Sequence, residues 1–231
     1  MKKHTFQISV LFSVILLLLF QHCPTQPEDP VEPGRRDYVW NVDTLDMPMN
    51  NVQAVWGVKP SDVWAVGRGG TYNNRLWHYN GSGWSAYTKE EIWCTGQTLF
   101  GFSQDNIWMG GGGGWLSGGA GIWHYDGNRW GENYVFDAKN GYIVKVTNIW
   151  GATPNSLYAC GTIVYDDGTE SSYRGFVLYY NGEMWREIVR ATEDSQFLQI
   201  RSGQRSIYVQ SYSQGDTITI SEIRNNSLNK I

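Results

Sequence analysis

The chain repeats one pattern three times, and this repetition constrains its fold more than any other feature. A short apolar and aromatic run ends in Tyr, followed by Asn-Gly or Asp-Gly and then a Trp three residues after the Gly. The three copies are LWHYNGSGW (76–84), IWHYDGNRW (122–130) and VLYYNGEMW (177–185). Self-similarity at a steady spacing indicates a repeat architecture, in which each unit covers apolar surface of its neighbour.

A second landmark precedes each copy. It reads VWGVKPSDVWAVG (55–67), LFGFSQDNIWMGG (99–111) and IWGATPNSLYACG (149–161), with a degenerate fourth copy, IRSGQRSIYVQS (200–211). Aligning Val63, Ile107, Leu157 and Ile207 gives spacings of 44, 50 and 50 residues. A period of about 45–50 residues is typical of four-stranded β-propeller blades.

Each unit is predicted to contain four strands. The first ends at Trp-Gly or Phe-Gly, and a turn rich in Pro, Asp and Asn leads into the aromatic second strand. After a longer loop comes the third strand, and the Asn-Gly or Asp-Gly pair then turns the chain into the fourth. The composition agrees, since aromatics make up 15% of the chain, with 27 Gly and only 17% charged residues. We therefore expect an all-β protein.

The recurring Trp at 84, 130 and 185 opens the predicted outer strand of each unit. A sheet that is apolar on both faces cannot bury them alone, so we expect this indole to cover the gap between neighbouring units.

The units resemble the repeats of exported bacterial β-propeller proteins, whose blades carry W-G-x-x-x-x-D-[VIL]-[WY]-A-V-G followed by H-[YW]-[DN]-G-x-x-W. The resemblance covers about residues 38–211. It implies a propeller of four-stranded antiparallel blades and says little about activity.

About three and a half blades are predicted, at 51–95, 96–145, 146–195 and, in part, 196–231. One interpretation is a truncated propeller that leaves an incomplete, open arc. The other is a compact four-bladed ring, in which the strand-like segment 38–45 closes the last blade. Because the fourth unit is so degenerate, the truncated propeller is favoured.

The first 23 residues resemble a bacterial lipoprotein signal. Two Lys precede the apolar run 8–20, Cys23 follows, and residues 24–37 form a Pro-rich acidic linker. The predicted location is the outer membrane or cell surface, through a lipid on Cys23, with the periplasm or the medium as the alternative if the chain is simply secreted. An uncleaved membrane anchor is the third possibility.

Composition and motifs argue against several other classes of function. The net charge is −4, and no basic run follows residue 3, so nucleic acid is not expected as a partner. The glycine run 110–121 lacks the spacing and the Lys-Ser/Thr of a phosphate loop. His78 and His124 hold equivalent repeat positions, which suggests packing and not metal binding. We expect neither a cofactor nor a metal, and no catalytic set of residues is visible.

Recognition is predicted on one rim of the fold. Connections between second and third strands, and between successive units, are long and varied, and such loops usually carry binding residues. Trp115, alone among glycines, is the best candidate for an exposed aromatic platform, with Tyr72, Trp93 and Tyr173 in support. The alternative for each is an aromatic side chain folded back over the core.

The function predicted from these features is that of a non-catalytic binding or interaction module, exported and tethered to a membrane, with a glycan or a protein as ligand. One alternative is a glycan-active enzyme using rim carboxylates such as Glu90, Glu91 or Asp137. Another is a fragment of a larger propeller without a function of its own. Cys94 and Cys160 lie in different units, so separate buried thiols are favoured over a disulfide.

Overall fold

A computed structural model describes residue 42 and the ranges 51–68, 75–88, 92–112, 119–136, 143–166, 168–203, 206–213 and 217–231. By its internal contacts the chain divides into Met1–Thr44 and Leu45–Ile231. The strands all lie in the second part. The signal, Cys23, the linker and, apart from Val42, the segment 38–45 lie outside the described residues. Where the structure is described, no helix is long and apolar enough to cross a membrane.

The described chain consists of strands and turns, which confirms the prediction of an all-β protein. The sixteen strands are β1 (Val52–Lys59), β2 (Asp62–Gly67), β3 (Leu76–Tyr79), β4 (Trp84–Ala86), β5 (Thr95–Ser103), β6 (Asn106–Gly112), β7 (Ala120–Tyr125), β8 (Trp130–Phe136), β9 (Ile143–Thr153), β10 (Ser156–Asp166), β11 (Ser171–Tyr180), β12 (Trp185–Arg190), β13 (Ser195–Ser202), β14 (Ile207–Ser213), β15 (Thr217–Arg224) and β16 (Ser227–Lys230).

Strands pair in sets of four consecutive antiparallel neighbours, and we call each set a quartet. The first quartet, β1–β4, is a sheet of its own. The other three are linked into one extended sheet, but each link is a single residue pair: Gly112 with Lys145, and Arg174 with Ser195. The second, third and fourth quartets are therefore β5–β8, β9–β12 and β13–β16.

Successive quartets pack against each other through their side chains. We call the face that contacts the next quartet the forward face, and the opposite one the rear face. Trp64, Val66 and Leu76 on the first forward face share a core with Leu99 and Met109 on the second rear face. Two further cores fill the second and third junctions in the same way. Burial of apolar surface between sheets is thus the main source of stability.

The tryptophan that opens each outer strand lies where the repeat predicts. Trp130 packs edge to face on Trp64 of the preceding quartet, with ring centroids 5.4 Å apart. Trp185 does the same on Trp108, at 5.7 Å. Both indoles are buried, whereas Trp84 of the first quartet is only half-buried. The expectation that this residue covers the gap between units is confirmed for the two junctions that contain it.

The predicted hairpin turns into the outer strands are also confirmed. Gly81, Gly127 and Gly182 have φ of 94°, 91° and 96°, a region that glycine enters without steric cost. The side chain before each glycine accepts hydrogen bonds from backbone N–H groups ahead of it. Asp126, for example, accepts from Asn128 and Arg129 at 2.9 Å each, and these bonds lower the pKa of its carboxyl.

The structure differs from the sequence prediction at two places. The first strands continue past Trp-Gly or Phe-Gly for two residues, with a register shift after Gly57 and after Gly101. The fourth unit, predicted as partial, has all four strands, although the last spans only Ser227–Lys230. A two-residue turn makes this possible, since Asn225 and Asn226 take φ of 49° and 58°, which Asn tolerates better than most residues.

We expect Trp130→Ala to lower the free energy of unfolding by about 3–5 kcal/mol, because it empties a buried site between two quartets. Val135→Ala, on the same strand and 46% exposed, is the matched control and should cost less than about 1 kcal/mol. Urea titrations followed by far-ultraviolet circular dichroism measure both. Equal losses in the two variants would contradict the packing role of the indole.

Candidate functional site

A pocket of about 280 Å3 opens on the rear face of the fourth quartet. It extends across all four strands and is covered at one end by the connection between β12 and β13. Its lining residues are Ala191, Thr192, Glu193, Asp194, Ser195, Phe197, Ser211, Ser213, Thr219, Ser221, Leu228 and Lys230.

The lining combines many hydroxyl groups with a few charges. Six of the twelve residues carry a hydroxyl, while Glu193, Asp194 and Lys230 supply two carboxylates and one ammonium. Ser211 and Ser221 are each 8% exposed, so part of this polar surface lies well below the rim. Buried hydroxyls need hydrogen-bond partners, and a ligand rich in hydroxyl groups can both donate to them and accept from them.

The pocket exists because one large repeat side chain is missing. Ser221 pairs with Val209 on the rear face of its quartet. The residues in the equivalent register in the first three quartets are Trp77, Trp123 and Leu178. All three are large, apolar and buried, so they fill the space that the serine leaves open. Sequence reasoning missed these lining residues, and the replacement of Trp, Trp and Leu by Ser is the signal that marks them.

The rim of the pocket is fixed to the third quartet. The Asp194 carboxylate accepts a hydrogen bond from the Tyr173 backbone N–H at 2.9 Å. Ala191 donates its own N–H to the Gly175 carbonyl at 2.8 Å. The loop 191–194 is therefore anchored at both ends to β11, which holds the pocket mouth in one position before any ligand arrives.

Of the predicted binding residues, Trp93 and Tyr173 lie within the described residues, and Trp115 and Tyr72 do not. Trp93 packs edge to face on Trp123 at 5.2 Å and donates its indole N–H to Glu132 at 2.6 Å. It is thus half-buried against the second quartet. Tyr173 is half-buried on β11, and its backbone belongs to the anchor of the pocket loop. The structure does not bring these two side chains into one site.

A smaller pocket, of about 180 Å3, lies at the opposite rim, between the first and second quartets. Its wall includes His78, whose Nε2 lies 2.8 Å from Asp62 Oδ1 while the ring stacks on Trp64. In the next quartet, His124 makes the same contacts with Asn106 and Trp108. Because an amide replaces the carboxylate in the second copy, the shared role is packing of the repeat, as the sequence predicts.

Among the residues with described positions, no group of three or more His, Cys, Asp or Glu is close enough to hold a metal ion. The two cysteines in this part are free and buried, which confirms the prediction of separate thiols. Burial raises the pKa of both, and that of Cys160 reaches about 12 although the Thr147 hydroxyl partly opposes the rise. Neither thiol is poised to act as a nucleophile.

Comparison with known proteins gives no assignment. No protein-family model matches the chain, and no curated protein matches it significantly.

Cys94 and Cys160 are expected to resist alkylation by iodoacetamide at pH 8 in the folded protein. Their raised pKa keeps the thiolate fraction small, and burial blocks access. The labelling is carried out with and without urea at about 8 M, where the protein is expected to be unfolded. Mass spectrometry of tryptic peptides then reports each site separately. Rapid labelling of either peptide without urea would contradict the buried-thiol assignment.

Proposed function

We propose that the protein is an exported, membrane-tethered β-propeller that binds the hydroxyl-rich end of a glycan without transforming it. The observation that carries this proposal is the hydroxyl-lined pocket of about 280 Å3 on the fourth quartet. The quartets correspond to blades in this interpretation, and the chain supplies four of them.

The strand contacts support the assignment of quartets as blades. The first strand of each quartet lies against the first strand of the next: β1 against β5, β5 against β9, and β9 against β13. In a β-propeller, the first strands of neighbouring blades adjoin around the central axis and the faces of the blades stack on each other. The quartets share both features. The repeat motifs of the sequence point to the same architecture.

The position of the pocket supports a role in binding. It is formed by the connection between β12 and β13 and by the end of β14 that leads towards β15. Connections of these two kinds, between successive quartets and between second and third strands, make up the rim predicted for recognition. Its volume lies near the lower end of ligand pockets, roughly 300 Å3, which suits one sugar unit better than a large cofactor.

The chemistry of the lining favours a glycan over a hydrophobic or a strongly charged ligand. Serine and threonine hydroxyls exchange hydrogen bonds with sugar hydroxyls in both directions. Phe197 and Leu228 offer an apolar wall for the C–H face of a sugar ring. The charges of Glu193, Asp194 and Lys230 sum to one negative charge, so the pocket does not require a charged ligand to balance it.

Ser221→Leu is expected to weaken glycan binding at least tenfold, because it restores the side chain that the third quartet carries at this register and fills the pocket. Ser85→Leu, the same change on an exposed position of β4, is the control and should leave binding unchanged. A glycan array identifies the ligand, and isothermal titration calorimetry measures both variants with it.

Three outcomes would overturn the proposal. The first is that the array shows no binding by the folded wild-type protein, and the second is that Ser221→Leu binds as tightly as wild type. The third is turnover of an array glycan that disappears in Glu193→Gln, because this would make the pocket a catalytic site and favour the glycan-active enzyme.

The tether rests on the signal-like N-terminus and is tested separately. If a lipid on Cys23 anchors the protein, Cys23→Ser removes the acylated thiol and abolishes detergent-phase partitioning of the mature chain. Triton X-114 phase separation of membranes from cells that express either form measures the partitioning. Unchanged partitioning, together with an unmodified Cys23 peptide in mass spectrometry of the wild type, would refute the anchor.

A further inference from the structure

The smaller pocket, between the first and second quartets, has a lining that the function proposed above does not use. Its volume is about 180 Å3. Trp64, which is 2% exposed, lies deep in it, whereas Gln104 and Asp105 are exposed. A pocket of this volume, below the range of about 300–1,000 Å3 that is typical of small-molecule sites, admits one side chain or a group of similar size.

The aromatic part of this pocket recurs at the next junction. The ring centroids of Trp64 and Tyr125 are 5.0 Å apart, and Trp108 and Tyr180 repeat that distance between the second and third quartets. In both places the tyrosine hydroxyl donates to a glycine carbonyl of the turn that follows, at 3.0 Å. Packing of the repeat therefore explains the aromatic rings at both junctions.

The two junctions differ in charge. Asp62, which begins β2, corresponds to Asn106, which begins β6. Asp105 in the turn before β6 corresponds to Asn155 in the turn before β10, and each of these two side chains lies beside the turn glycine of its own quartet. The first junction thus has two carboxylates where the second has two amides. No Lys or Arg is among the described residues that line the pocket.

Each carboxylate is held in place through one oxygen. His78 Nε2 lies 2.8 Å from Asp62 Oδ1, and the Ser103 hydroxyl donates to Asp105 Oδ1. Within the described part of the chain, Oδ2 of either aspartate has no hydrogen-bond partner. Because an ionised carboxylate accepts several hydrogen bonds, these two oxygens can accept N–H groups of a ligand.

We propose that this pocket binds the guanidinium group of an arginine side chain that a peptide or protein partner presents. A guanidinium is planar, stacks on aromatic rings, offers five N–H donors to carboxylates and is more weakly hydrated than an ammonium. The rings of Trp64 and Tyr125 and the two aspartates supply both kinds of contact. The site is separate from the hydroxyl-lined pocket, so this inference does not rest on glycan binding.

The test is nuclear magnetic resonance of the full chain in detergent micelles, with N-acetylarginine N-methylamide as the probe, because its only charge is the guanidinium. The probe is expected to shift the indole N–H signal of Trp64 with a Kd of about 1 mM, as for one small group. The signal of Trp108 should not move, because amides replace the carboxylates at its junction. The citrulline analogue, which has a similar shape and no charge, should shift neither signal.

Two variants give the first junction the residues of the second. Asp62→Asn and Asp105→Asn are expected to fold for this reason, and each should weaken binding of the probe about tenfold, because each removes a charged acceptor. Asp126→Asn is the matched control. It removes the same charge from the same rim, in a turn where the other two copies have Asn80 and Asn181. It should change the Kd by less than about threefold, since the charge of an exposed side chain is screened.

Two results with the wild type would overturn the proposal without any variant. One is a Trp64 signal that stays unchanged up to about 20 mM probe, twenty times the expected Kd. The other is an equal shift with the citrulline analogue. Equal weakening by Asp62→Asn and Asp126→Asn would also contradict the proposal, because the attraction would then come from the charge of the whole rim.

Two further probes test the choice of ligand. Equally tight binding of the lysine analogue would overturn the preference for a guanidinium, and binding of methylguanidinium without binding of the arginine probe would overturn the peptide source. Ser221→Leu should leave the Trp64 response unchanged, so the outcome here is distinct from that of the glycan experiment.

Discussion

Packing between the faces of neighbouring four-stranded sheets is the interaction on which the rest of this structure depends. Each quartet has apolar side chains on both faces, so neither face is stable in water without a cover. Backbone hydrogen bonds between quartets contribute little to this packing, because neighbouring quartets share either one residue pair or none. The indoles of Trp130 and Trp185, set on Trp64 and Trp108, complete two of these contacts. Tight turns, three of them capped by the oxygen of an Asn or Asp side chain, set where the outer strands begin. Side-chain burial determines how the sheets are arranged relative to each other.

Much of this arrangement is readable from the sequence, because local chemistry and the repeat agree. The Asn-Gly and Asp-Gly turns have the backbone conformation that their residues favour, and each outer strand begins at its tryptophan. The last hairpin was less visible, since Asn225-Asn226 makes a tight turn without glycine and no tryptophan follows it. The extension of the first strands beyond Trp-Gly depends on register shifts against the partner strand, a tertiary effect that periodicity does not encode.

The candidate site was harder to predict, because it results from a side chain that is absent. Prominent aromatic residues in loops are the features that a sequence offers, and Trp93 is one of them. In the structure it packs on Trp123 and donates a hydrogen bond to Glu132. Ser221 attracts no notice until it is aligned with Trp77, Trp123 and Leu178. A repeat scaffold makes such comparisons informative, since one position is observed in four copies with the backbone nearly constant. Departure from the repeat, more than any residue type, then indicates where recognition can develop.

The single-pair links between quartets also bear on how a gene of this kind can change. Removing or duplicating the stretch that encodes one quartet breaks few backbone bonds outside that quartet, and the new neighbours meet through the same kinds of side chain as before. Unequal recombination within the repeats can thus alter the number of quartets in a single step and still yield a chain that folds. Lineages carrying this repeat should differ more readily in how many sheets they stack than in how any one sheet is built.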